Sequence, residues 1–326
     1  MDHDLLSDLL RTVRLSGAVF FDVGASAPWV ATAPPSQSIA AKVMPGAQHV
    51  IEYHVLAEGS CWARLHESDD EPVQLTAGSA VMFPHGDPHT LASDPRLGAP
   101  ADPSVFESRT SDSRPFYLRY GSEPCDQARI ICGFLGCDVL PFNPLMSSLP
   151  RMLHVAGDEA TKGLLGPLIR AAVDESSNPR VGSGGVLSKL SELIFIEVIR
   201  RYAEQLPESG AGWLAGLRDP GIGRALRALH AAPGQNWTVG DIAREAGMSR
   251  TVLAERFTEC LGTSPMNYLL GWRMQLAATR LSTSARTLAE IAAEVGYASE
   301  AAFSRAFKRS TGFSPGAWRT RAGAGD

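Results

Sequence analysis

Several things are missing from this chain of 326 residues, and each absence excludes something. No run of about 20 apolar residues occurs, so no membrane-spanning helix is expected. The opening Met1-Asp-His-Asp-Leu-Leu is acidic and lacks the basic region and apolar core of a secretory signal. Cysteine is scarce: Cys61, Cys125, Cys132, Cys137 and Cys260 are an odd count without zinc-finger spacing, which argues against a disulfide framework and for a reduced, cytoplasmic protein. No glycine-rich phosphate loop and no Ser/His/Asp arrangement is present. A net positive charge is missing too, the formal value being −5, but the charge is unevenly divided. From Arg218 onward 14 Lys and Arg face 9 Asp and Glu, which leaves 16 against 26 for the rest. The C-terminal part is therefore the one suited to a polyanion, with a steep salt dependence.

That basic part says nearly the same thing twice. Gly247-Met-Ser249-Arg-Thr-Val-Leu253-Ala-Glu-Arg-Phe257 recurs as Gly296-Tyr-Ala-Ser299-Glu-Ala-Ala-Phe303-Ser-Arg-Ala-Phe307, and Gly262-Thr-Ser264-Pro265 recurs as Gly312-Phe-Ser314-Pro315. From Ser249 to Pro265 the offset is a constant 50 residues. Thr238 and Thr287 suit N-caps, Gly247 and Gly296 suit left-handed turns, and Ser249 and Ser299 suit second caps, so each unit reads as a helix-turn-helix. The spacing turns Val252, Leu253, Phe257 and Leu261, and Ala302, Phe303, Ala306 and Phe307, toward the core. It leaves Arg250, Thr251, Ala254, Glu255 and Thr258, and Glu300, Ala301, Ser304, Arg305 and Lys308, free to reach a groove. Proline at the first turn after Ser264 predicts one helix over about 266–281, a strut between the units.

With these motifs, residues 219–321 resemble the DNA-binding domain of the AraC/XylS family of transcription regulators, and the run from Glu290 to Arg319 carries that family's signature. The resemblance implies base-edge contacts from Thr251, Ala254 and Glu255 in one unit and from Ala301, Ser304 and Arg305 in the other, with Arg305 placed for a guanine. Glu255 could accept from a cytosine or pair with a neighbouring arginine.

The acidic part begins with a short amphipathic helix over residues 4–13 and continues as short runs broken by Gly and Pro. Strands are expected at 19–23, 39–43, 50–56, 60–65, 80–83, 116–120 and 128–132, a pattern of β-sandwiches and barrels. Gly78-x5-Pro84-x-Gly86-x2-His89 is similar to the second cupin motif, so residues 5–155 resemble the cupin-type jelly-roll sensors found ahead of such DNA-binding domains. The first motif is partial, with Glu52-Tyr53-His54 and then Glu58. Glu52, His54, Glu58 and His89 could form a mixed oxygen/nitrogen site for zinc, iron, manganese or nickel. Alternatively Glu52, His54, His85 and His89 are hydrogen-bonded residues lining an effector pocket. Residues 94–113 read as a disordered loop in preference to a lid. Cys125 and Cys137, placed as exposed, and Cys61 are the candidates for a redox switch.

Helical periodicity resumes at 158–175 and 187–205, the second helix apolar nearly all round and suited to burial or to a second copy. Residues 206–216 read as a hinge. The expected fold is thus α+β and multidomain: a β-barrel (cupin-like jelly roll) at residues 1–155, a helical dimerisation segment and hinge at 156–210, and an all-α domain with two helix-turn-helix units at 217–322. The expected function is sequence-specific binding of double-stranded DNA, controlled by a small-molecule effector or redox signal. The resemblance implies a homodimer and activation through RNA polymerase. A metal-dependent cupin enzyme tethered to DNA is the rival, disfavoured by the missing histidine of the first motif, and a sequence-tolerant architectural protein is disfavoured by the net acidity.

Overall fold

The structure, a computed structural model, describes residues 4–12, 15–106, 116–123, 127–138, 141–157, 163–207 and 210–323. The chain divides into two compact units whose boundaries do not follow the sequence halves: Leu15–Cys137 with Leu149–Gln205, and Met1–Arg14 with Asp138–Ser148 and Leu206–Asp326. The first is β-rich, the second all-α.

The β-rich unit holds two sheets. One has the order β10-β6-β3-β9-β1-β8, formed by Leu153–Val155, Ala80–Phe83, His49–Glu58, Ala128–Cys137, Leu15–Ala25 and Phe116–Tyr120. The other has the order β2-β7-β4-β5, formed by Val30–Ala33, His89–Ala92, Ser60–Leu65 and Val73–Thr76. Phe21, Val23, Phe83, Leu91, Ile130 and Phe134 belong to the core cluster of this unit. Helices α3 (Leu165–Ser177) and α4 (Ser183–Gln205) pack against the larger sheet. Gly17 of β1 is needed there, since a Cβ would lie 2.5 Å from the Ser188 carbonyl oxygen. Successive side chains of a strand point to opposite faces. Tyr53 accordingly reaches Ser191 of α4 at 2.8 Å, whereas Glu52 and His54 line the cavity described below.

The expected strand at 39–43 is instead helix α2 (Ser36–Val43). Ile39 and Val43 stand four apart and are both buried, so one helical face meets the core, and the run was too short for alternation to be told from helical period. Strands β2, β5, β7 and β10 are additions, each of only three or four residues.

In the all-α unit the repeat forms as expected. Helices α7 (Val239–Ala246) and α10 (Leu288–Glu294) begin in capping boxes, Thr238 with Asp241 and Thr287 with Glu290. Gly247 ends α7 at φ 67°, ψ 37°, and Ser249 and Ser299 cap α8 (Arg250–Leu261) and α11 (Glu300–Thr311). Between them α9 runs from Pro265 to Thr283, 19 residues or about 28 Å. Leu253, Phe257, Phe303, Ala306 and Phe307 are buried, but Val252 is 41% exposed. At 100° per residue Val252 stands on the outer flank of Leu253, away from the core-facing row.

Two pieces of the N-terminal sequence belong to this unit. Helix α1 (Leu5–Thr12) meets α9, where Thr279 Oγ1 donates to the Thr12 carbonyl at 3.0 Å. In the segment 141–148, the Phe142 amide donates to Gln275 Oε1 at 3.0 Å and its ring meets Tyr268 edge-on, against a Gly271 whose Cβ would lie 2.7 Å from that ring. The expected hinge is also partly core: α5 (Trp213–Arg218) buries Trp213, whose indole donates to Tyr268 Oη at 2.7 Å. Glycine and serine around 208–212 signalled flexibility, and the buried tryptophan next to them outweighs that signal.

Candidate sensor pocket and helix-turn-helix face

The cavity of the β-rich unit lies between its sheets and has two chemistries. Phe21, Val23, Trp29, Leu91, Phe106, Leu118, Ile130 and Phe134 make an apolar wall, while Glu52, His54 and His89 make one polar patch. The 3-10 turn Pro103–Phe106 contributes Val105 and Phe106. This part of the expected disordered loop is therefore ordered against the core; residues 107–115 lie outside the described residues.

Glu52 and His54 come from one face of β3 and His89 begins β7. Their nearest ligand atoms all lie within 4.8 Å of one another, with the two histidine Nε2 atoms 2.7 Å apart and Glu52 Oε2 3.8 Å from His89 Nε2. His89 Nδ1 lies 2.9 Å from the Asp87 carbonyl and must donate to it. That fixes a lone pair on His89 Nε2, so His54 Nε2–H donates to it. His54 Nδ1 is then left buried with no partner among the described residues. The Phe83 ring stacks on His89 at 3.5 Å between centroids.

Burial sets the charges. It holds His54 well below its ordinary pKa, with neighbouring His89 adding to the effect, and lowers His89 to about 4. Burial also raises Glu52 to about 8, against a hydrogen bond from Ser36 Oγ at 2.6 Å that favours the carboxylate. The Glu52–His89 contact is thus a contact of neutral groups at pH 7, not an ion pair.

Two neutral imidazoles and one carboxyl, desolvated and with an orphaned nitrogen, fit a divalent cation of the zinc, iron or manganese type. Glu52, His54 and His89 would hold it, and it would supply a Lewis-acidic point for an oxygen or nitrogen donor. Glu58 stands outside this group: it is exposed at the end of β3, about 13 Å along the strand from His54. His85 also points away, exposed in the turn and bonded through Nε2 to the Leu149 carbonyl at 2.9 Å.

Other supports were not legible in the sequence. Ser36 is placed by its backbone N–H, which donates to the Gly86 carbonyl at 2.9 Å, and Gly86 has φ 68° with no room for a Cβ beside Ser36. Arg151 grips the Asp87 carboxylate at 2.7 Å and the His66 and Glu67 carbonyls, anchoring the turn that carries His89. The partners come from distant chain segments, so spacing carried no signal for them.

Among the described residues the cysteines form no exposed thiol site, Cys132 and Cys260 being half-buried. Cys61 and Cys137 are buried, and burial pushes the Cys61 thiol up to about 12. Cys137 was expected to be exposed; its place at the end of the central strand β9 hides it. Cys125 lies outside the described residues.

On the all-α unit the side chains expected to reach a groove are mostly exposed. Arg250, Thr251, Ala254, Glu255, Ala301, Arg305 and Lys308 are exposed and Ser304 is half-buried. Much of the other basic charge is engaged: Arg256 pairs with Asp219, which also caps α6 (Pro220–Ala231), Arg224 bonds to the Ala246 carbonyl at 2.5 Å, and Arg280 and Arg286 share Glu294.

A pocket-bearing β-rich unit in one chain with a duplicated helix-turn-helix defines a class, the DNA-binding regulators that carry a separate N-terminal domain. A cupin family model matches residues 4–204 and a helix-turn-helix domain model matches residues 242–321. A putative AraC-like transcription regulator of Streptomyces lividans is 34% identical over 84% of this chain and 88% of its own length. The RCS-specific transcriptional activator RclR of Escherichia coli is 28% identical over 85% of this chain and 86% of its own. Among solved structures, the DNA-binding domain of AdpA in complex with a target DNA is 32% identical over 32% of this chain and 95% of its own, with a TM-score of 0.31. The chain belongs to the AraC/XylS family of helix-turn-helix transcription regulators, in the form with an N-terminal cupin domain. It is a sequence-specific DNA-binding regulator and not an enzyme.

Proposed function

We propose that the β-rich unit, as a cupin-type barrel, senses a small effector whose apolar body fills the cavity and whose polar group faces Glu52, His54 and His89, directly or through a bound cation. The observation that carries this reading is the single buried polar patch in an otherwise apolar and aromatic cavity, the usual build of a ligand site. In the all-α unit, base contacts come from Thr251, Ala254 and Glu255 on α8 and from Ala301, Ser304 and Arg305 on α11, with Arg250 and Lys308 at their margins. The E. coli relative is an activator, which supports activation here; RNA polymerase would then be the partner.

A signal acts only through a difference between two states of the chain. The route we favour runs through β1 and β9. Both line the cavity, they pair side by side at Leu15 and Cys137, and they lead into α1 and into the segment 141–148, the two pieces that pack on the strut α9. Filling the cavity would shift these strands and, through them, the support of both helix-turn-helix units. Dimerisation through α4 is supported by Val186 and Leu193, 46% and 43% exposed and one heptad apart on that helix.

The test is a thermal-shift screen of the full chain against small alcohols, acids and aromatics. One chemical class is expected to raise Tm and to change operator affinity, and Leu91→Trp, which fills the cavity, is expected to abolish both. A Tm shift that survives Leu91→Trp, or that leaves DNA binding unchanged, refutes the reading.

A further inference from the structure

The 50-residue offset aligns the two recognition helices residue for residue, and at two matched places an acid in the first stands for a base in the second. Glu255 of α8 corresponds to Arg305 of α11, Thr258 to Lys308 and Glu259 to Arg309. All six are exposed. At 100° per residue Glu255 and Arg305 lie in the middle of the outer face, opposite the buried rows Leu253/Phe257 and Phe303/Phe307. The two units share a backbone plan, but where α8 carries the acids Glu255 and Glu259, α11 carries Arg305 and Arg309, while Arg250 and Glu300 differ in the opposite sense at the helix starts.

The arginines closest to Glu255 in the chain have other places. Arg256 is held by Asp219, and the Arg250 guanidinium lies over Gly240, 2.9 Å from where a Cβ would be. Among the described residues no ion pair involves Glu255. Its carboxylate is therefore available to an incoming hydrogen-bond donor.

A carboxylate on a DNA-facing helix is repelled by phosphates and by the acceptors guanine O6 and N7 and thymine O4. Two major-groove donors remain, the adenine N6 amine and the cytosine N4 amine. Adenine sets its N7 acceptor beside that amine, and cytosine does not, so cytosine is the base that suits Glu255. We propose that the first recognition helix reads a cytosine through Glu255, while the second reads a guanine through Arg305 and contributes most of the phosphate attraction with Lys308 and Arg309. This rests on the reading that the outer faces of α8 and α11 enter the major groove.

The experiment is selection from a random duplex library by the full-length chain, by Glu255→Gln and Glu255→Arg, and by Arg305→Ala, each checked for fold by circular dichroism. The wild type is expected to enrich a site with one fixed cytosine in the part read by the first unit. Glu255→Gln should lower discrimination at that position alone by about ten- to a hundredfold, and Glu255→Arg should replace the cytosine by guanine. Arg305→Ala should relax a different position. If the Glu255 variants keep the wild-type base preferences and gain affinity equally for every sequence, the carboxylate reads no base and the proposal fails. That outcome would suit a face that docks a basic protein partner. If Arg305→Ala also leaves every base preference intact, the groove-entry reading itself fails, which is a different result from loss of the Glu255 assignment alone.

Discussion

Glu52 is the residue whose protonation state decides what its cavity can hold. Burial keeps it protonated up to about pH 8, while His89 stays neutral down to about pH 4. A divalent cation needs the carboxylate, so uptake must expel the Glu52 proton. Uptake should therefore tighten as pH rises, by close to tenfold per unit below pH 8, and level off above it. Isothermal titration of the chelator-treated chain with zinc at pH 6, 7 and 8 checks this, reading the affinity and the protons released. One equivalent per chain is expected, lost in His89→Ala. Affinity that does not change with pH would place the metal elsewhere. The cavity's two histidines were legible from cupin-type spacing, and Glu52 from the partial first motif. Ser36 and Arg151, which hold Glu52 and the His89 turn, come from other segments and left no local signal.

At the scale of the element, the difference between α8 as expected and α8 as observed lies in Val252. Its exposure leaves Leu253 and Phe257 as the fully buried anchors of the first recognition helix, with Cys260 and Leu261 half-buried at its end. Leu253→Ala should then cost roughly 2–5 kcal/mol through the cavity it leaves, whereas Val252→Ser should change stability by no more than about 0.5 kcal/mol. Urea melts of both variants settle the matter, and comparable losses would mean that Val252 is packed. The helix-turn-helix elements were legible to within a residue or two because caps, left-handed glycines and N-terminal prolines are local devices. The segment 39–43 was not, because five residues do not separate a strand from one and a half turns of helix. The 3-10 turn at 103–106 was obscured by the prolines and polar residues around it, although Val105 and Phe106 are apolar enough to line the pocket.

For the whole molecule, the exposed row Val186 and Leu193 makes α4 the proposed interface between copies. Leu193→Asp should halve the sedimenting mass while leaving the far-ultraviolet circular dichroism of the chain unchanged, since the side chain is 43% exposed. A dimer that survives the substitution would put the interface on another surface. The unit boundaries bear on the same scale. Sequence order assigns residues 4–12 and 141–148 to the sensor, yet they pack with the all-α unit, where Phe142 meets Tyr268 and Thr12 meets Thr279. In the route proposed above, the link between sensing and DNA binding runs through these segments and not through the 206–216 stretch alone.

By itself the sequence determined the family, the duplicated DNA-binding unit, the basic and acidic division and the three polar candidates of the cavity, because repeats, caps and turn residues act over a few positions. Only the tertiary structure decided that Glu52 and the two histidines meet while Glu58 and His85 do not, that Cys61 and Cys137 are hidden, and that the supposed hinge buries Trp213. Each of these depends on which distant segment covers a residue. Burial then sets its charge and reactivity, and no spacing along the chain encodes that.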